Sequence, residues 1–133
     1  KFLRSRIRKL LINLDKEGLK FDKFYLTLKN LSKSDQVIEF YVDKNILENS
    51  KYFEKDKKII LNQSFFNNPE EIILRSIIQV IKRISWKKNY PRGKKVNSLI
   101  DSIKFSNKNV KLTLSGCIIE KIQDSVIIYP EKR

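Results

Sequence analysis

Leu3, Ile7, Leu10, Leu11 and Leu14 recur at three- and four-residue steps, the spacing that puts side chains on one face of an α-helix. Gly18 just after Glu17 supplies a helix stop. A second, longer helix is predicted from near Asp22 to Asn49-Ser50, with Phe24, Leu28, Leu31, Ile38 and Val42 along one side. Asp35 interrupts that stripe and predicts a kink or break between Ser32 and Asp35. Tyr52-Phe53 and Ile59-Ile60-Leu61 flank the polar stretch Glu54 to Lys58, the pattern of a β-hairpin. Asn68-Pro69-Glu70-Glu71 then reads as a helix start: Asn68 to cap, Pro69 in the first turn, Glu71 to return a capping-box bond. That helix runs to about Ile84, burying Ile73, Ile77, Val80, Ile81 and Ile84 and exposing Arg75, Gln79 and Lys82.

A loop from Ser85 to Gly93 leads into a short helix marked by Val96, Leu99, Ile100 and Ile103. After Asn107, Val110, Leu112 and Leu114 alternate with polar residues as in a strand, and Ser115-Gly116 allows a bend or bulge. Cys117-Ile118-Ile119 and Val126-Ile127-Ile128 are expected to pair around a turn at Gln123-Asp124. The order helices, hairpin, helices, strands specifies an α+β class, a helical region with a β-hairpin and a short C-terminal antiparallel element. A helical segment, 1–50, is expected to precede an α+β segment, 51–133, the two forming one compact unit.

Charge changes this picture most. Twenty-nine Lys and Arg against fifteen Asp and Glu leave +14 on 133 residues, while the apolar share of 41% is ordinary for a folded domain. Such an excess favours a polyanionic partner. The basic residues also cluster. Lys1, Arg4, Arg6, Arg8 and Lys9 open the chain with no acid among them, and Arg4 and Arg8, four apart, share a helical face. Lys82, Arg83, Lys87, Lys88, Arg92, Lys94 and Lys95 form a second acid-free run, threaded by Trp86, Tyr90, Pro91 and Gly93. Aromatic rings among cations suit unstacked bases together with their phosphates. Against this, lysine runs are most often solvated surface, and Trp86 could equally close the core beside Ile84.

Other chemistries find little to work with. One cysteine and no histidine exclude an internal disulfide and a zinc site, and a lone thiol fits a reducing cytoplasm. The three glycines, at 18, 93 and 116, make no phosphate-binding loop. Helix capping accounts for Glu70-Glu71, and Cys117 in an apolar strand reads as an inert thiol. No apolar run approaches the roughly 20 residues that span a bilayer, and the basic N-terminus is no signal peptide. Methionine is absent, position 1 included, which predicts a chain that begins inside a longer protein.

Four segments together resemble the C-terminal half of bacterial tRNA(Ile)-lysidine synthetases. Arg4-Ser5-Arg6-Ile7-Arg8 with Leu10-Leu11 is similar to the Arg-rich helix closing that family's catalytic domain. Glu17-Gly18-Leu19, then Leu26-Thr27 and the long helix, resemble its next helical pair. Asn68-Pro69-Glu70-Glu71-Ile72, through Arg75 and Ile81, resembles its Pro-Glu-Glu helix. Tyr90-Pro91-Arg92-Gly93 and Thr113-Leu114-Ser115-Gly116-Cys117-Ile118-Ile119 resemble a loop and the Thr-Leu-Gly-Gly-Cys strand near the family's end, with Ser115 in place of the first Gly. The family's Ser-Gly-Gly-x-Asp-Ser pyrophosphatase loop does not occur in the chain; it would lie before Lys1.

The resemblance implies an enzyme that uses ATP and Mg to adenylate the wobble cytidine of the CAU anticodon of tRNA(Ile). Free lysine then displaces AMP, and decoding changes from AUG to AUA. ATP, Mg and lysine would be held by the preceding domain, with no cofactor and no catalytic residue in this chain. Arg4 and Arg8 would meet the tRNA nearest the reactive nucleotide, with Arg6 also counted among the tRNA-binding residues; Lys82, Arg83, Lys87, Lys88, Arg92, Lys94 and Lys95 are assigned to tRNA by charge and not by the family motif, and Tyr90 as a ring for stacking. A homodimer is compatible with this picture. Two rivals stand beside it: a stand-alone basic RNA- or ribosome-binding module, and a peripheral membrane protein, which would need an inserting amphipathic helix.

Overall fold

The computed structural model describes residues 2–18, 20–88 and 90–132. Four helices and five strands follow in the order α1 (Phe2–Lys16), α2 (Phe21–Asn49), β1 (Ser50–Phe53), β2 (Lys58–Leu61), α3 (Glu70–Ile84), α4 (Gly93–Phe105), β3 (Val110–Leu114), β4 (Cys117–Ile122) and β5 (Ser125–Pro130). The class is α+β, as the pattern of the sequence predicts. A 3-10 turn, Gln63–Phe66, lies between β2 and α3. Periodicity does not announce it. Asn62 caps it, its side chain accepting from the Phe65 N–H at 3.1 Å.

The chain divides into two compact units, Lys1–Val37 and Ile38–Arg133, so the last turns of α2 belong with the sheet and not with the helices before it. Burial explains the boundary. Val42 and Asn45 are the two buried residues of α2, and α1 buries none. The apolar stripe of α1 is therefore exposed, and of the stripe expected on α2 only Val42 is fully buried; Leu28 and Leu31 face solvent. No break occurs near Ser32 to Asp35, where α2 continues without interruption. Asp35 lies on an exposed stretch, so the apolar face it interrupts has no covering layer to disturb it.

In the second unit one antiparallel sheet has the order β1-β2-β5-β4-β3. The early hairpin and the late strands therefore share a single sheet, joined where Ile59 pairs with Ile128 and Leu61 with Val126. Ile59, Leu61, Leu112, Leu114, Cys117, Ile119, Val126 and Ile128 alternate onto one face, and α3 and α4 pack there. The strand alternation read from the sequence is the cause: with period two, one face is apolar and requires a cover. Ile73, Ile77, Val80 and Ile81 supply it from α3, Val96, Leu99, Ile100 and Ile103 from α4. Each side chain fully buried this way contributes about 1.5–3 kcal/mol.

Polar groups inside this core are matched. Asn45 ties α2 to the 3-10 turn and α3, donating to Phe65 O at 3.3 Å and to Ser76 Oγ at 3.2 Å. Lys121 points inward from β4 and donates to Ile103 O at 2.7 Å and Ser106 O at 2.8 Å. It thereby satisfies carbonyls that the end of α4 leaves open. The capping box expected at α3 is corrected. Pro69 takes the cap position without a side-chain bond, and Asn68 instead donates to Asn45 Oδ1 at 3.0 Å and Phe65 O at 3.2 Å. Glu71 pairs with Arg75 at 2.9 Å. Arg75, expected to be exposed, is half-buried and also reaches Glu39 at 3.5 Å.

Candidate nucleic-acid interface

The second basic run begins in the last turn of α3, crosses the connection after it and ends in the first turn of α4. Lys82 and Arg83 are consecutive on a helix of 3.6 residues per turn, so their side chains diverge by about 100°. The structure shows the consequence. Lys82 Nζ stands 3.8 Å from the centroid of the Tyr90 ring, while the Arg83 guanidinium lies 4.2 Å from that of Tyr52. Lys82 shares a hollow with Ile81, Ser85, Trp86, Lys87, Lys88, Tyr90 and Pro91; its volume is about 400 Å³. No carboxylate is among its described lining residues. Arg83 faces a different hollow, beside Asp43, Gln79 and Tyr52.

The connection is held in place by backbone chemistry that the charge pattern does not reveal. Ser85 is the knot. Its Oγ donates to Ser115 O and accepts from the Lys87 N–H at 3.0 Å. Ser115 and Gly116 form the two-residue turn between β3 and β4, with φ of 49° and 81°. Two positive φ values in succession suit the right-handed twist of a hairpin. A Cβ on Gly116 would stand 3.0 Å from Ser85 Oγ and 3.2 Å from Lys87 Cγ. The bend expected at Ser115-Gly116 is thus also the seat of the basic loop. In the sequence the only signal of that role is a glycine beside a strand.

The expected site residues therefore separate into groups. Lys82, Lys87, Lys88 and Tyr90 are brought together around one hollow, with Trp86. Trp86 is 43% exposed and Tyr90 66%, so neither ring is a core side chain. Lys87 Nζ lies 5.4 Å from the Trp86 ring. Arg92 precedes α4 at its cap, and Lys94 and Lys95 stand exposed in its first turn, which holds no acid. Positive side chains there oppose the helix dipole, an arrangement that a bound anion would relieve. Lys95 borders another depression, with Ser98, Leu112 and Thr113. Arg4, Arg6 and Arg8 are exposed on α1, in the other unit.

Titratable groups elsewhere have structural work. Lys111, Glu120 and Tyr129 form a ladder across β3, β4 and β5: the Tyr129 hydroxyl donates to Glu120 Oε1 at 2.6 Å, and Lys111 Nζ lies 3.2 Å from the same oxygen. The bond from Tyr129, followed by that from Lys111, holds the Glu120 carboxyl below its ordinary range. The same bond raises the Tyr129 phenol. Burial pushes the Cys117 thiol up to about 11. Among the described residues no group of three His, Cys, Asp or Glu could hold a metal ion, and no helix is long and apolar enough to cross a membrane.

The arrangement has the chemistry of a surface for anions and flat rings. It presents exposed ammonium groups and two exposed rings around a hollow whose described lining residues include no acid. No protein-family model, no curated protein and no solved structure matches the chain.

Proposed function

We propose that this chain is the tRNA-binding part of a tRNA(Ile)-lysidine synthetase, a cytoplasmic enzyme that uses ATP to join lysine to the wobble cytidine of the CAU anticodon. In this reading ATP, Mg and lysine belong to a preceding domain, and the chain itself holds the tRNA without taking part in bond making. The observation that carries it is the hollow in which Lys82, Lys87 and Lys88 surround Trp86 and Tyr90 with no acid among the described lining residues. The order of the four sequence segments, which resembles that of the family, supports the choice of family. The net charge of +14 supplies the attraction, since phosphate contacts release condensed counterions.

Fluorescence anisotropy with a CAU-anticodon isoleucine tRNA, over a salt series, tests the reading. Reversing Lys87, Lys88 and Arg92 to Glu should lower the slope of log K against log salt by about 3, roughly one unit per lost phosphate contact. The three side chains are exposed, so the melting temperature should hardly move. Salt-independent affinity, or a large stability loss in the triple variant, would contradict the proposal. A methionine tRNA with the same anticodon and an unrelated tRNA complete the panel. Equal affinity for all three favours a general RNA- or ribosome-binding module over the synthetase part.

A further inference from the structure

We infer that the hollow at the end of α3 seats a single unstacked nucleotide of an RNA strand, and that it does so without regard to which base it is. The inference rests on the RNA-binding reading above and narrows it from a charged surface to one pocket with a defined occupant.

A duplex offers its exterior phosphates, and lysines on an open surface suffice to meet them. They would need no rings and no concavity. Here two aromatic side chains are exposed by 43% and 66% beside three lysines, around a space of about 400 Å³. That volume lies near the lower end of small-ligand sites, about 300–1,000 Å³. It suits one nucleotide and is too small for a stacked pair. The lining is mixed: Ile81 and Pro91, both buried, and the two rings give it an apolar part beside the lysines and Ser85. Lys82 already stands over one face of the Tyr90 ring at 3.8 Å, so a base on the opposite face would complete a cation–ring–base stack.

The wall is fixed in advance. Ser85 holds the Lys87 N–H and the carbonyl of Ser115, and Gly116 leaves room for the Lys87 stem. Little ordering of the backbone at Lys87 is therefore required on binding. The lining side chains also predict base tolerance. Bidentate reading of a base edge uses Asn, Gln, Arg or a carboxylate, and the described lining residues of the hollow include none of these. Stacking addresses the ring face, which every base has. Discrimination among tRNAs then has to come from other parts of the protein.

Trp86 is the single tryptophan and reports directly on the hollow. Its fluorescence is followed while the protein is titrated with eight-nucleotide oligo(U), oligo(A) and oligo(C), with a blunt duplex of the same length, and with ATP. The three single strands should quench Trp86 with affinities within a few-fold of one another, and should bind at least tenfold more tightly than the duplex. Tyr90→Ala should weaken single-strand binding by about tenfold, the usual size of one lost base stack. Tyr90→Phe should restore it, and neither change should affect the duplex. Equal affinity and equal quenching by duplex and single strand, with Tyr90→Ala silent, would overturn the inference and leave the RNA-binding reading intact. So would ATP matching the oligonucleotides, which would assign the hollow to a free nucleotide. Absence of binding to any RNA at low salt would instead remove the RNA-binding reading itself.

Discussion

Asn45, 3% exposed, offers a sharp test of the core, because its two amide atoms have opposite duties. Nδ2 donates to Ser76 Oγ and Phe65 O, while Oδ1 accepts from Asn49 Nδ2 at 2.9 Å and Asn68 Nδ2 at 3.0 Å. Truncation to Ala removes all four bonds but abandons no partner. Ser76 Oγ keeps Ile72 O at 2.6 Å, Phe65 O keeps the Asn68 amide, and Asn49 and Asn68 are only part-buried. A loss of about 2 kcal/mol follows, from a few net hydrogen bonds near 0.5–1.5 kcal/mol each, softened by water at the two asparagines. Asn45→Asp preserves the shape and the accepting half, yet turns an anionic oxygen toward a carbonyl and a hydroxyl. A buried charge without an opposite charge beside it costs about 3–5 kcal/mol, which the two asparagine amides offset only in part. The near-isosteric change should therefore be the worse one at neutral pH.

Acid should reverse the order. The introduced carboxyl would have a folded pKa raised above its unfolded value of about 3.9, so the folded state binds its proton more tightly. Stability relative to the parent is then lost as pH rises from about 4 through the folded pKa, and is regained on acidification. Urea denaturation followed by circular dichroism at pH 7.5 and 4.5, on the parent and both variants, measures this directly. If Asp is milder than Ala at pH 7.5, or its deficit fails to shrink at pH 4.5, the orientation assigned to the Asn45 amide is wrong.

Gly116→Ala should destabilise the protein by about 1–3 kcal/mol, the range for a side chain forced into left-handed backbone. It should also weaken RNA binding through the displaced Lys87, and parent-like values of both melting temperature and affinity would refute the seat described for the loop. Cys117, with its thiol near 11 and its side chain buried, should react with a thiol reagent at pH 8 only as fast as the fold opens. Full reactivity in urea and protection in buffer, read by absorbance of the released chromophore, is the expected pair. Because the fold keeps this thiol neutral, alkaline titration from about pH 8.5 upward should lower stability.

The sequence by itself determines the elements. The three- and four-residue recurrence in α3 and α4 and the two-residue alternation in β3 to β5 are properties of neighbouring residues, and those helices and strands form where the pattern puts them. Acid-free clustering of cations is equally local. It marks Lys82, Lys87 and Lys88, which line one hollow, together with Arg83, which the helix turns toward Tyr52. The tertiary structure alone decides what each pattern meets. An apolar stripe states that a face needs cover and not whether cover exists: α3 receives it from the sheet, while α1 remains open. A small polar side chain near a helix start can cap it or leave it, and Asn68 leaves it because Asn45, 23 residues earlier, presents a buried acceptor. The placement of β5 between β2 and β4, and the bond from Ser85 to Ser115 across 30 residues, likewise depend on which distant segments pack together. Periodicity is fixed by the geometry of one element, whereas coverage, strand order and hydrogen-bond partners are fixed by the free energy of the whole assembled core.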